Sequence, residues 1–174
     1  LKIVHIITRL ILGGAQENTI ITCYELAKRG HDVTLIAGPA IGPEGELFNQ
    51  TENHNYKVIT VPRLIRPIRP FNDFICYQQM RKLLKKLNPD IVHTHSAKAG
   101  IIGRYAAHSI KPKPKIVYGI HGLAFHPYQN TMINKLYIAI EKAAVKKTDF
   151  FISVADAMTE QALAADIGRP DQYT

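Results

Sequence analysis

The stretch "KIVHIITRLILGGAQENTIITCYELAKRGHDVTLIA", residues 2 to 37, sets the pattern from which the rest of the chain can be read. Its apolar opening KIVHII predicts a strand, the segment from about Ala15 to Arg29 a helix, and DVTLIA at 32–37 a second strand. Gly30 closes the helix in the manner of a C-cap, because glycine accepts positive φ at little cost. The result is a βαβ unit.

The same rhythm continues. Further strands are expected at Lys57 to Val61, Ile91 to Thr94, Ile116 to Gly119 and Phe150 to Ser153, and helices near 72–87, 97–110, 130–147 and 156–166. Short apolar strands joined by long helical crossovers imply a doubly wound, mostly parallel α/β sheet covered on both faces. Ligands of such sheets sit at the carboxyl ends of the strands, where the strand order reverses. That rule gathers Gly13-Gly14, His95 with Ser96, His121 with Gly122, and Ser153 at one edge. Two stretches break the rhythm. Residues 38–55 are turn-rich and read as a loop or short helix, and "PRLIRPIRPFN" at 62–72 has too many prolines for a regular helix.

The familiar readings of the glycine pair fail. A dinucleotide loop needs G-x-G-x-x-G and an acid at the end of the second strand, but here the loop is LGGAQ and the strand ends Leu35-Ile36-Ala37. A P-loop needs G-x-x-x-x-G-K-[ST], which is absent. Two readings remain: a tight strand-to-helix turn, or a place where a phosphate, carboxylate or sugar hydroxyl approaches backbone N–H groups closely.

With 174 residues the chain fits one domain, and its 46% apolar content is that of a folded protein. No apolar run is long enough for a membrane span, and no signal-peptide pattern opens the sequence. Two cysteines, Cys23 and Cys76, in helical segments suit a reducing compartment, so a cytoplasmic location is expected. The formal charge of +8 points toward phosphate-rich partners. Part of it lies in Arg81, Lys82, Lys85 and Lys86, opposite an apolar helical stripe of Tyr77, Met80, Leu83, Leu84 and Leu87, and part in Arg63, Arg66 and Arg69. These read either as solvated surface or as a peripheral contact with anionic membrane.

Eight histidines raise the question of a metal, yet no compact ligand motif accompanies them, and no metal is expected. His5 and His93 read as packed strand residues, His31 and His108 as surface or helix ends, and His54 as loop. Ser96 is placed to cap the next helix. Lys98, in the first turn of that helix, opposes the dipole and would gain from an anionic ligand. Neither Ser96 nor Ser153 sits in a nucleophile elbow. His121 at a strand end, followed by Gly122, reads either as a ligand contact of tunable protonation or as a satisfied strand-end histidine.

Taken together, "KIVHIITRLILGGAQENT", "LAKRGHDVTLIAG", "PDIVHTHSAKAGIIGRYAA", "IVYGIHGLAFH" and "EKAAVKKTDFFISVADAM" resemble the amino-terminal half of retaining glycosyltransferases of the GT-B fold, family 4. The resemblance implies that residues 1–174 are the Rossmann-like, acceptor-side domain and that a carboxyl-terminal donor-binding domain lies outside this chain, which alone would be inactive. It implies a nucleotide-sugar donor, a sugar or lipid-linked acceptor, bacterial polysaccharide or lipid-linked glycan synthesis, no cofactor, and no nucleic-acid partner. By the same resemblance His121 contacts or tunes the transferred sugar without acting as a nucleophile. Gly13, Gly14 and Gly122 border the ligand, while His95, Ser96 and Lys98 line the acceptor side. Arg104 and Glu141 are expected to be structural. A nucleotide-sugar epimerase or a non-catalytic binding domain would share the fold.

Overall fold

The computed structural model describes residues 1–39 and 55–174. The turn-rich stretch at 38–55, with His54, lies outside them but for its ends. The strands are β1 (Lys2–Ile7), β2 (Asp32–Ala37), β3 (Lys57–Thr60), β4 (Ile91–His95), β5 (Lys115–Ile120) and β6 (Phe150–Ser153). The helices are α1 (Gly14–Lys28), α2 (Pro70–Leu87), α3 (Ala97–His108), α4 (Thr131–Val145) and α5 (Asp156–Ala164). Every expected element is present, with ends moved by no more than two residues. The proline-rich segment stays irregular until Pro70, which takes the first turn of α2, where a missing N–H costs nothing.

All strand pairs are parallel and the order is β3-β2-β1-β4-β5-β6, so the chain reverses direction between β1 and β4. Register sets what meets there: His5 pairs with His93, and His95 with Gly119. Side chains alternate along each strand, which sends Val4, Ile6, Val92, Ile116 and Tyr118 to one face and His5, His93, His95 and Gly119 to the other.

The first face packs against α2 and α3 through Met80, Leu84, Ile102 and Ala106, and against α4 and α5 through Tyr118, Phe151 and Ala162. The second face packs against α1 through Ile7, Leu35, Ile20 and Cys23. Coverage of both faces is therefore uneven. At the edge strand β6 the second face leaves Phe150 at 46% and Ile152 at 39% exposure among the described residues. Cys23 and Cys76 are buried and free, and burial pushes their thiols up to about 12 and about 11.

Candidate functional site

The glycine pair is not a tight turn. Gly13 is extended at φ 164°, a conformation open to any residue, and Gly14 already belongs to α1. A Cβ on Gly13 would meet only the end of the Gln16 side chain, and one on Gly14 would meet nothing within 4 Å. Local structure thus gives no reason for two glycines, and the space beside them is open. The end of β2 also has no room for a side chain at position 38, where a dinucleotide site would need its acid: a Cβ on Gly38 would lie 1.8 Å from the Leu64 carbonyl oxygen.

Across the β1/β4 reversal, Ser96 takes the N-cap position of α3 but makes no side-chain cap bond, contrary to expectation. Its hydroxyl pairs instead with that of Thr8 at 2.7 Å, and the Thr8 hydroxyl accepts the N–H of Ala99. Thr8 therefore caps α3 from the end of the neighbouring strand. Ser96 stands at φ 63°, ψ 156°. That region belongs almost entirely to glycine and costs a serine of order 1–3 kcal/mol. Lys98 also departs from expectation: its ammonium meets the Asp73 carboxylate at 2.6 Å and the Pro67 carbonyl at 2.8 Å, so α2 supplies the anion expected of a ligand.

Four imidazoles occupy the second face. His5 Nδ1 lies 3.0 Å from His95 Nε2, and His95 Nδ1 lies 2.9 Å from His121 Nε2, a continuous hydrogen-bonded chain. His93 stacks obliquely on His95 with ring centroids 4.1 Å apart. Burial pushes His5 down to about 4 and holds His95 and His93 well below the usual imidazole range, the neighbouring rings adding to the last two. His121, half-buried, is lowered by burial as well. The cluster is neutral at physiological pH. His95 was expected to line the acceptor side; it is sealed in the sheet and both its ring nitrogens are taken. His5, His93 and His95 each offer a nitrogen within 4.8 Å of the others, a three-imidazole set of the kind zinc accepts. Two of these rings already bond to each other, so coordination there would compete with the hydrogen-bonded chain.

A cleft of about 660 Å³ opens at the strand ends. Its walls include Thr8, Arg9, Gln16, Arg66, Ser96, Lys98 and Gly122. Of the residues singled out in the sequence, Ser96, Lys98 and Gly122 line it directly, whereas Gly13, Gly14, His95 and His121 flank or underlie it. A Cβ on Gly122 would meet nothing within 4 Å, so this wall too is open to close approach. Sequence reasoning missed Thr8, Arg9, Gln16 and Arg66. Thr8 was findable only through the β1/β4 register, which carries it to Ser96.

Glu141 borders the cleft but is spoken for. Its carboxylate takes the Arg104 guanidinium at 2.6 Å and the Tyr118 hydroxyl at 3.5 Å. Arg104, fully buried, also donates to the Gly100 carbonyl and lies 4.0 Å over the Tyr118 ring. These contacts tie α3 to α4 and β5.

The model of Glycosyltransferase Family 4 matches residues 12–171. Over 148 residues the chain is 32% identical to a UDP-Gal:alpha-D-GlcNAc-diphosphoundecaprenol alpha-1,3-galactosyltransferase of Escherichia coli, covering 85% of this chain and 37% of that protein. Its fold is similar to that of a glycosyltransferase from Rickettsia africae, with a TM-score of 0.71 at 20% identity over 99% of this chain and 41% of that one. It is also similar to a UDP-GlcNAc 2-epimerase from Methanocaldococcus jannaschii, with a TM-score of 0.65 at 13% identity over 100% of this chain and 45% of that one. The chain thus spans less than half the length of these relatives. With a Rossmann-like GT-B half, an open glycine lip, a cleft at the strand reversal and a match across nearly its whole length, the chain belongs to Glycosyltransferase Family 4.

Proposed function

We propose that this chain is the acceptor-side half of an enzyme that transfers a sugar from a nucleotide-sugar to an acceptor hydroxyl with retention of anomeric configuration, in polysaccharide or lipid-linked glycan synthesis. The observation that carries the reading is the cleft at the β1/β4 reversal. Among the described residues Arg9 and Arg66 face it, while the two acids in its walls, Asp73 and Glu141, are neutralised by Lys98 and Arg104. A wall so charged suits a phosphate-bearing ligand. Departure of a nucleoside diphosphate builds negative charge, and fixed donors and cations around it lower the barrier most. Gly14 and Gly122 let the ligand approach backbone on both sides. His121 serves as a neutral hydrogen-bonding contact to the transferred sugar, and its place in a chain of imidazoles argues against a nucleophile.

The resemblance to the E. coli galactosyltransferase favours a lipid-linked acceptor. So does the exposed surface beside the cleft, where Ile68, Phe71 and Phe74 stand out at 61%, 80% and 60% exposure among Arg63, Arg66 and Arg69. No helix among the described residues is long and apolar enough to cross a membrane. The pattern fits peripheral contact at the cytoplasmic face of a membrane, basic groups on headgroups and aromatic rings at the interface. Phe71→Ser with Phe74→Ser should abolish salt-sensitive pelleting of the complete gene product with anionic vesicles; unchanged pelleting refutes the contact.

The transfer itself is tested by supplying the complete gene product with a panel of nucleotide-sugars, with and without glycan or lipid-linked acceptors. Nucleoside diphosphate released only in the presence of acceptor, with a product of retained configuration, supports the proposal. Donor epimerised without acceptor overturns it in favour of an epimerase, and binding without turnover in favour of a binding domain. The 174-residue chain alone is expected to show little turnover.

A further inference from the structure

We propose that His5 and His95 are positioning residues that fix His121 as its Nδ1–H tautomer and leave that N–H as the one free for a ligand. The argument starts from proton counting. A neutral imidazole has one N–H and one bare nitrogen, so a chain of three neutral rings joined by two hydrogen bonds has only two proton orders. In the first, His5 Nδ1–H donates to His95 Nε2, His95 Nδ1–H donates to His121 Nε2, and His121 keeps its proton on Nδ1. In the second, every proton sits on the other nitrogen. The orders differ at the ends. His5 Nε2 is buried and has no hydrogen-bond partner among the described residues, while His121 Nδ1 is not among the sealed, unpartnered atoms.

The buried end decides between the two. The second order would strand an N–H at His5 Nε2 in a dry interior; the first leaves only a bare nitrogen there, and orphaned buried N–H groups are the rarer case in folded proteins. The first order also resists protonation of His121. Its Nε2 already faces the His95 N–H, so a proton can be added only if all three rings shift and the orphaned N–H forms at His5. The titratable groups closest to the chain are imidazoles: His5 from β1 and His93 and His95 from β4 surround it, and no carboxylate is hydrogen-bonded to any of the three rings among the described residues.

Gly119 supplies an independent sign that the chain is built. Paired with His95 across the sheet, it carries no side chain, and a Cβ there would lie 2.9 Å from His95 Nδ1, 3.3 Å from His121 Nε2 and 3.1 Å from His93 Nε2. A methyl group would sit against both nitrogens of the outer hydrogen bond. No positive φ demands this glycine. The room for imidazoles does.

Nitrogen-15 shifts of the ring nitrogens separate N–H from bare nitrogen, and on the complete gene product labelled in histidine they read the proton order directly. The inference expects Nδ1–H in His5, His95 and His121, against the Nε2–H form that free imidazole side chains favour. His5→Asn places an amide N–H where Nδ1–H stood and should keep His95 and His121 in that form. His5→Phe and Gly119→Ala should lose it at His121. Nε2–H at His121 in the unaltered protein, a His121 pattern indifferent to His5→Phe, or a stoichiometric zinc complex replacing the His5–His95 bond would each overturn the inference.

What the free N–H meets rests on the glycosyl-transfer reading, and turnover tests that separately. His5→Phe should lower kcat about tenfold, the scale of a lost second-layer partner to a functional histidine, with His5→Asn retaining more. If the tautomers respond as expected and turnover does not, the proton order stands and the role of His121 in transfer falls.

Discussion

On one face of the sheet Arg104 and Glu141 bury a full pair of opposite charges; on the other, His5, His93, His95 and His121 gather four neutral rings. The charged cluster is well supplied with partners. Arg104 donates to Gly100, Thr148 and Glu141, and Glu141 accepts from Arg104 and Tyr118. The neutral cluster is left incomplete: among the described residues His5 Nε2 and His93 Nε2 are buried with no hydrogen-bond partner, and its chain ends at His121, next to Gly122 of the cleft wall. The charged network ties α3 to α4 and β5. The neutral network has an open end.

The comparison can be broken most forcefully on the charged side. Arg104→Met leaves Glu141 buried without its partner, and loss of one member of a buried pair costs about 3–5 kcal/mol. Urea unfolding of the chain should show that loss, and Arg104→Met combined with Glu141→Leu should recover most of it. A loss below about 1 kcal/mol for the single change would mean that the pair does not hold the helices.

The neutral side gives a pH signature. The folded His5 imidazole stays neutral down to about 4, whereas the same group in the unfolded chain takes a proton below about 6.5. Acid therefore favours the unfolded state, and this contribution is fully present above about 6.5 and is lost as pH falls toward 4. His93, His95 and His121 are shifted in the same direction. At 1.36 kcal/mol per unit, His5 alone accounts for about 3 kcal/mol across that window. Unfolding midpoints measured through the window should fall steeply in the unaltered chain and less in His5→Phe. Parallel curves would show that His5 is not held neutral by the fold.

Much of this was legible in the residues. Apolar periodicity gave the six strands and five α-helices of the described residues, and the strand-end rule drew Gly13-Gly14, Ser96 and His121 to one edge. What escaped reading depends on register and helix packing. His5 meets His95, and Thr8 meets Ser96, only because β1 pairs with β4 across about half the chain. Lys98 finds Asp73 only because α3 packs on α2. A local rule misled at Ser96 for the same reason: it has the residue type and position of a cap, yet a hydroxyl from the next strand caps α3. Of the two readings left open for the glycine pair, an extended Gly13 followed by a helical Gly14 removes the tight turn.

The division of labour between the two faces is tested most directly by His121→Ala in the complete gene product, measuring turnover and thermal stability on the same preparation. The account predicts that turnover falls about 10²-fold, the scale of removing one fixed hydrogen-bond donor from a reacting centre, while Tm moves by only about 2 °C, since the ring is half-buried and its bond to His95 is neutral. Unchanged turnover, or a loss of turnover matched by collapse of the fold, would contradict it.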